Sequence, residues 1–230
     1  MLKIIFSKDK REISRLLIQL CAVVTGVIVF LLTLTAAAYL EAAPVYQDTL
    51  RLHIRAASDS DEDQALKLLV RDRLTGLTAE LTEGAENAEQ AAEMVSANLA
   101  RVCREAEVVL MENGCDAQVT AAVEKEFFNT RSYPIADDSP SGEGELTMPA
   151  GEYTALVVTI GEGAGHNWWC VLYPSLCLPA ATAEQQADAL SDFSESEQQL
   201  VLGEYRFGFW LLEAAARVQA WLEGESLHER

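Results

Sequence analysis

The sequence predicts an α+β domain that follows a single N-terminal transmembrane helix or signal segment. Residues 16–40 carry no charged side chain, and about 20 apolar residues are enough to cross a bilayer as a helix. After this stretch, two helical patterns separate a first alternating strand from three later ones. We therefore expect a mostly antiparallel four-stranded sheet with helices packed mainly on one face.

Charge is distributed unevenly along the chain. The 230 residues include 36 acidic and 17 basic side chains, for a formal net charge of −19. Such an acidic surface repels phosphate backbones, so the composition argues against nucleic-acid binding. The beginning of the chain, in contrast, is basic, with Lys3, Lys8, Lys10, Arg11 and Arg15. A basic leader before an apolar span places the N-terminus in the cytoplasm and the rest of the chain outside.

These patterns divide the chain into five segments. They are a basic cytoplasmic leader (1–15), a transmembrane anchor or uncleaved signal (16–40), a tether (41–49), an extracytoplasmic α+β domain (50–222) and a tail (223–230). A cleaved signal peptide stays an alternative, because Ala36-Ala37-Ala38 offers a cleavage site. The uncharged stretch is longer than the roughly 7–15 apolar residues of a signal peptide, which favours the anchor.

The domain begins with one strand and two helices. In residues 50–56 apolar and polar side chains alternate, which predicts a strand with one buried face and with Arg51, His53 and Arg55 on the other. Ser60 precedes an acidic first turn and is predicted to cap a helix that runs to Leu81. A second helix is predicted over residues 88–112, where apolar residues again recur at helical spacing.

The later elements are mostly strands. Alternation predicts a strand over residues 117–128, and a run rich in Pro, Ser, Gly and acids predicts an exposed loop over 134–151. Two apolar runs, 153–160 and 168–173, are joined by a glycine-rich loop, so we predict a β-hairpin between them. The remaining predictions are one loose helix over 180–199 and a last helix over 204–221 that docks on the sheet.

Five cysteines divide between two environments. Cys21 lies within the apolar span, whereas Cys103, Cys115, Cys170 and Cys177 lie outside the cytoplasm, where disulfides persist. Pro174-Ser175 can reverse the chain between Cys170 and Cys177, so a local pair is plausible and would leave Cys103 with Cys115. Four free, buried thiols are the alternative.

The motifs of the chain match no cofactor or metal site. Asp59-x-Asp61-x-Asp63 opens like a calcium loop but has Gln64 and Val70 where that loop needs a glycine and a bidentate acid. The spacing of Gly161, Gly163 and Gly165 departs from the dinucleotide fingerprint, and a strand follows instead of a helix. We therefore expect no catalytic residues, cofactor, metal or small-molecule substrate.

One enzymatic alternative stays open. Cys170 is a potential nucleophile, and His166 or His53 is available as its base. The chain would then be a thiol hydrolase that acts on peptide or cell wall.

Two adjacent tryptophans suggest a recognition surface. Trp168 and Trp169 point to opposite faces of a strand, so one enters the core and the other is exposed or is covered by the last helix. An exposed tryptophan is typical of a protein-binding hot spot. We expect partner contacts from the end of the glycine loop (His166, Asn167, Trp168, Trp169) and from the polar face of the first strand (Arg51, His53, Arg55).

Two blocks of sequence resemble a known family. Leu50 to Ser60, with Glu62 to Lys67 and Val70 to Asp72, resembles the opening of stage II sporulation protein R. Pro149 to Tyr153, Gly161 to Gly163, Gly165 to Pro174 and Leu176-Cys177 are similar to its second characteristic block. The likeness covers about residues 50 to 222. The sequence departs from the family in a longer acidic loop over 134–148 and in Ala57, where the family has asparagine.

The resemblance implies a developmental signalling protein of endospore-forming bacteria. It would be made in the forespore and exported into the space between the forespore and mother-cell membranes. There it would activate a membrane-embedded aspartic protease of the mother cell, which then removes the pro-sequence of a sigma factor. The family brings no established catalytic residues, so the resemblance implies an activator that is not itself an enzyme.

Overall fold

The computed structural model describes residues 2–134, 145–174, 190–202 and 206–223. Helices and strands in these ranges follow the order α1 Leu2–Gln47, β1 Leu50–Arg55, α2 Asp61–Leu81, α3 Ala88–Ser96, α4 Leu99–Glu112, β2 Val119–Phe128, β3 Arg131–Pro134, β4 Glu145–Met148, β5 Gly151–Ile160, β6 Asn167–Tyr173, α5 Glu195–Leu202 and α6 Arg206–Glu223.

Four strands form one mixed sheet in the order β2-β5-β1-β6. β2 pairs with β5, and β1 with β6, in antiparallel fashion, whereas the central strands β1 and β5 are parallel. The α+β class is confirmed. The sheet is mixed and not purely antiparallel, because β1 and β5 run in the same direction and lie side by side.

The predicted hairpin between β5 and β6 is wrong, because β1 lies between these two strands. Residues 161–166 instead cross the C-terminal end of β1. The Gly165 amide donates to the carbonyl of Ala56 at 2.9 Å. A Cβ on Gly165 would lie 2.1 Å from the Ser58 carbonyl oxygen, so this crossing requires glycine.

One face of the sheet, here called the helix face, packs against α2, α3 and α4. Leu50, Leu52 and Ile54 of β1 are fully buried there among aliphatic side chains of the three helices. Ser60 caps α2 as predicted, since its hydroxyl accepts a hydrogen bond from the Asp63 amide at 3.2 Å. The predicted helix over 88–112 is divided into α3 and α4, which are separated at residues 97 and 98.

The opposite face, here called the aromatic face, is covered by the end of α1, by α5 and α6, and by the β3–β4 ribbon. Helices therefore pack on both faces and not mainly on one. The prediction that β1 has one exposed polar face is also wrong, because Arg51 is 0% and His53 2% exposed beneath these elements. The ribbon occupies both ends of the loop predicted over 134–151, whose residues 135–144 lie outside the described ranges.

Helix α1 joins the predicted anchor directly to the domain. By length and composition it is, among the described residues, the one helix able to cross a membrane, with a mean hydropathy of 2.6 in its most apolar window. It does not end near residue 40. Ala42, Val45 and Tyr46 are buried in the aromatic-face core, so residues 41–49 are part of the domain and do not form the tether that we expected.

The C-terminal region follows the prediction in part. α6 spans residues 206–223, close to the helix predicted over 204–221, and its Phe209 and Leu212 pack in the aromatic-face core. α5 covers the end of the segment predicted as a loose helix, of which residues 180–189 lie outside the described ranges, as do residues 224–230 of the predicted tail.

Candidate functional site

A polar pocket opens where the turn after β2, the start of β6 and helix α6 meet. Its volume is about 440 Å³. The side chains around it are Asn129, Thr130, Arg131, His166, Asn167, Trp169 and Glu213. Three of the residues predicted to contact a partner, His166, Asn167 and Trp169, therefore lie together at this pocket.

Trp169 joins the pocket to the aromatic face. Because His53 of β1 is the cross-strand neighbour of Trp169, the two rings stack, with centroids 3.7 Å apart and planes inclined by 16°. The ring of Phe128 meets Trp169 edge-on at 4.8 Å. These contacts fix the indole in a half-buried position, with His53 behind it and the pocket beside it.

Behind Trp169, the carboxylate of Glu126 bridges two residues of β1. The Nδ1–H group of His53 donates to one carboxylate oxygen at 2.7 Å, and Nη2 of Arg55 donates to the other at 2.6 Å. Burial alone would raise the pKa of Glu126, but the hydrogen bonds and charges of His53 and Arg55 outweigh it and lower that pKa below its ordinary value. The bridge thus holds an ionised carboxylate under the pocket.

Arg51 is a buried guanidinium without an acidic partner among the described residues. Its Nε donates to the Cys170 carbonyl at 3.1 Å and its Nη2 to the Tyr133 hydroxyl at 2.8 Å, while Nη1 is buried without a partner. The Phe128 ring lies 4.3 Å from its Cζ and the Tyr153 ring 4.9 Å. Cation–π attraction therefore replaces part of the lost hydration.

The glycine loop is hydrogen-bonded to α2 and to the turn that precedes it. The carboxylate of Asp59 accepts hydrogen bonds from the backbone amide of His166 at 2.6 Å and from its ring Nδ1 at 2.5 Å. Nζ of Lys67 donates to the His166 carbonyl at 2.9 Å, and burial lowers the pKa of this amine. His166 is thus held by its backbone and its ring, although its side chain is 65% exposed.

Four polar side chains of the pocket have no hydrogen-bond or ion-pair partner within the described part of the chain. They are those of Asn129, Thr130, Arg131 and Asn167. The Thr130 hydroxyl is also buried, and a buried polar group without a partner is costly. The pocket therefore offers donors and acceptors that a polar ligand or a partner segment could satisfy.

The other predicted contact residues lie elsewhere. Trp168 points to the helix face, where Cζ of Arg71 lies 4.5 Å from its ring centroid. Arg51 and His53 are buried behind the pocket and cannot touch a partner directly, whereas Arg55 is 37% exposed beside Glu126. The sequence reasoning missed Asn129, Thr130, Arg131, Glu126 and Glu213, because no residue pattern relates the turn after β2 to the start of β6.

The geometry contradicts the thiol-hydrolase alternative. Cys170 is disulfide-bonded and 1% exposed, so it has no free thiol to act as a nucleophile. It belongs to the helix-face core, whereas His53 lies on the aromatic face. Within the described residues no group of three or more His, Cys, Asp or Glu side chains could hold a metal ion.

The cysteine predictions have different outcomes. Cys103 and Cys115 are free, so the second predicted pair is not formed. Cys177 lies outside the described residues, and its pairing with Cys170 stays a prediction.

Two comparisons with known proteins point to the same family. Residues 46–183 match the model of the stage II sporulation protein R family. Stage II sporulation protein R of Bacillus subtilis (strain 168) is 34% identical over 128 residues, which cover 56% of this chain and 53% of that protein. The chain thus spans about half the length of the curated relative that it matches. No solved structure matches this chain. The family match covers more than half of the chain, including β1, the glycine loop and β6, and the protein therefore belongs to the stage II sporulation protein R family.

Proposed function

We propose that this protein is an extracytoplasmic sporulation signal that activates a membrane-embedded aspartic protease of the mother cell, which then processes a pro-sigma factor. Membership of the family supports the role in sporulation. The basic leader and apolar span of α1 support export of the domain into the space between the forespore and mother-cell membranes, either anchored or released.

The contact site is inferred from the side chains around the pocket that have no hydrogen-bond or ion-pair partner among the residues that the structure describes. A segment of the protease that enters beside Trp169 would satisfy Asn129, Thr130 and Asn167. Arg131 lies at this entrance, with its Cζ 5.9 Å from the Trp169 ring centroid. In a chain with a net charge of −19, an arginine that has no acidic partner among the described residues attracts a carboxylate of the protease.

Reconstitution in liposomes tests this function. The full chain is combined with the protease and its pro-sigma substrate, and cleavage is followed for the wild type, Arg131→Ala and Asn167→Ala. Arg104→Ala is the matched control, because Arg104 is exposed on α4, away from the pocket. We expect Arg131→Ala to reduce processing by roughly 30-fold, which corresponds to a hot-spot loss of about 2 kcal/mol. The control should process the substrate like the wild type.

The possible failures are distinguishable. The side chains of Arg131 and Asn167 make no hydrogen bond or ion pair within the described part of the chain, so their replacement by alanine should leave the fold intact. Wild-type processing by both variants would reject the pocket as the contact site and leave the activation proposal standing. A wild-type chain that does not trigger cleavage would reject activation itself.

A further inference from the structure

Helix α6 carries an apolar stripe that faces away from the core. Phe209 and Leu212 turn inward and are 4% and 7% exposed, whereas Trp210 is 60% and Val218 57% exposed. At 100° per residue, positions 210, 214 and 218 lie on one side of the helix. The stripe therefore places a large indole and a branched aliphatic side chain at the protein surface.

The same helix begins beside the point where α1 leaves its uncharged stretch. A Cβ on Gly208 would lie 3.7 Å from the Cβ of Ala38, and Ala38 lies within the charge-free residues 16–40. The first charged residue after that stretch is Glu41, about 4.5 Å further along the helix axis. Gly208 is therefore level with the membrane boundary when α1 spans the bilayer.

Exposed apolar side chains of both helices belong to the residues next to this contact. Tyr39 and Leu40 of α1 are 55% and 72% exposed, and Trp210 lies two residues after Gly208. Tryptophan and tyrosine concentrate at the interface between hydrocarbon and water, where an indole is partly apolar and partly hydrated.

The charge of α6 also suits a lipid surface. α6 has two arginines, Arg206 and Arg217, and two glutamates, Glu213 and Glu223, so its formal net charge is zero. The chain as a whole has a net charge of −19 and would be repelled by anionic lipid headgroups. α6 is thus an element of the domain that can approach such a membrane without this repulsion.

We propose that the outer stripe of α6, with Trp210 as its anchor, lies in the headgroup region of the membrane that α1 spans and forms a second lipid contact. This contact rests on the anchored form of the proposed function. The lipid contact fixes the tilt of the domain relative to the membrane, because α1 and α6 then contact the lipid at two points. It also fixes the height of the pocket above the lipid, since Glu213 belongs to α6.

Tryptophan quenching in nanodiscs tests the lipid contact. The full chain is inserted into phosphatidylcholine nanodiscs whose acyl chains are brominated close to the headgroup, and fluorescence is compared with that in unbrominated discs. Trp210→Phe should lose most of the bromine-dependent quenching. The matched control Trp168→Phe should keep it, because Trp168 packs on the helix face under Arg71.

A marker in the span distinguishes the two ways in which the proposal fails. Phe30 is 61% exposed within the apolar stretch, so Phe30→Trp reports insertion of α1. Suppose that bromines in the middle of the acyl chains quench this tryptophan, and that bromines near the headgroup quench Trp210→Phe as much as the wild type. Then α1 spans the bilayer but α6 does not touch the lipid. If the marker is not quenched, α1 does not span the bilayer, and the anchored form is rejected together with the lipid contact.

Discussion

The two faces of the central sheet use alternate residues of one strand for opposite kinds of packing. On the helix face, Leu50, Leu52 and Ile54 meet aliphatic side chains. On the aromatic face, Arg51 and His53 are equally buried, but their neighbours are aromatic rings and the carboxylate of Glu126. Nη1 of Arg51 is buried without a hydrogen-bond partner among the described residues. Burial of polar groups is costly unless each of them is paired. The comparison indicates that the apolar residues of β1 stabilise the fold by burial on the helix face, whereas Arg51 and His53 support the pocket at a cost in desolvation.

The largest effect is expected on the helix face. Leu52→Ala removes a side chain that is 0% exposed and leaves a cavity. We expect it to lower the free energy of unfolding by about 3–4 kcal/mol, as measured by urea denaturation of the full chain in detergent. A loss below about 1 kcal/mol would show that this face does not hold the domain together.

A smaller effect is expected for Glu126, which pairs with His53 and Arg55 on the aromatic face. Glu126→Ala should lower the free energy of unfolding by about 2–3 kcal/mol, because it leaves the donors of His53 and Arg55 without an acceptor.

Glu126 should also make the free energy of unfolding depend on pH. The folded-state pKa of Glu126 is below its ordinary value of 4.5, so its ionised form contributes stability above pH 4.5, and that contribution is lost as pH falls through the lowered value. Urea denaturation across this range should show the decline in the wild type and a weaker decline in Glu126→Gln. Equal acid dependence in the two proteins would contradict the bridge.

The smallest effect is expected for Arg51. Arg51→Met removes a buried charge that has no acidic partner among the described residues, and methionine fills much of the same volume. Replacing such a charge by an apolar side chain is often neutral or stabilising. The free energy of unfolding should therefore change by less than about 1 kcal/mol in either direction. The same denaturation assay measures it. A loss as large as that of Leu52→Ala would erase the distinction between the two faces.

The sequence predicts local structure better than it predicts neighbours in space. The helix cap at Ser60, the alternation of β1 and the opposite directions of Trp168 and Trp169 follow from residue spacing, and the structure contains all three. The insertion of β1 between β5 and β6 could not be predicted, because a short glycine loop joins either adjacent strands or strands one position apart.

The burial of Arg51 and His53 could not be predicted from the sequence either. A strand with alternating apolar and polar residues normally has one solvent-exposed face. The elements that cover this face of β1 either precede the strand or follow it by more than 70 residues; they are α1, the β3–β4 ribbon, α5 and α6. The pocket depends on the same distant contacts, since Arg131 and Glu213 reach Trp169 from separate parts of the sequence. His166, Asn167 and Trp169 were found because they are consecutive or nearly so.

The continuation of α1 into the core has a consequence for release from the membrane. Ala42, Val45 and Tyr46 lie on the domain side of Ala36-Ala37-Ala38, and the Tyr46 hydroxyl donates to the Ala150 carbonyl at 2.7 Å. A signal peptidase that cut after Ala38 would thus release a domain that keeps these three buried residues, and Ala38, which packs against the edge of this core, would stay with the membrane segment. The freed protein would keep its pocket, while Tyr39, Leu40 and Trp210 became exposed apolar groups on its surface.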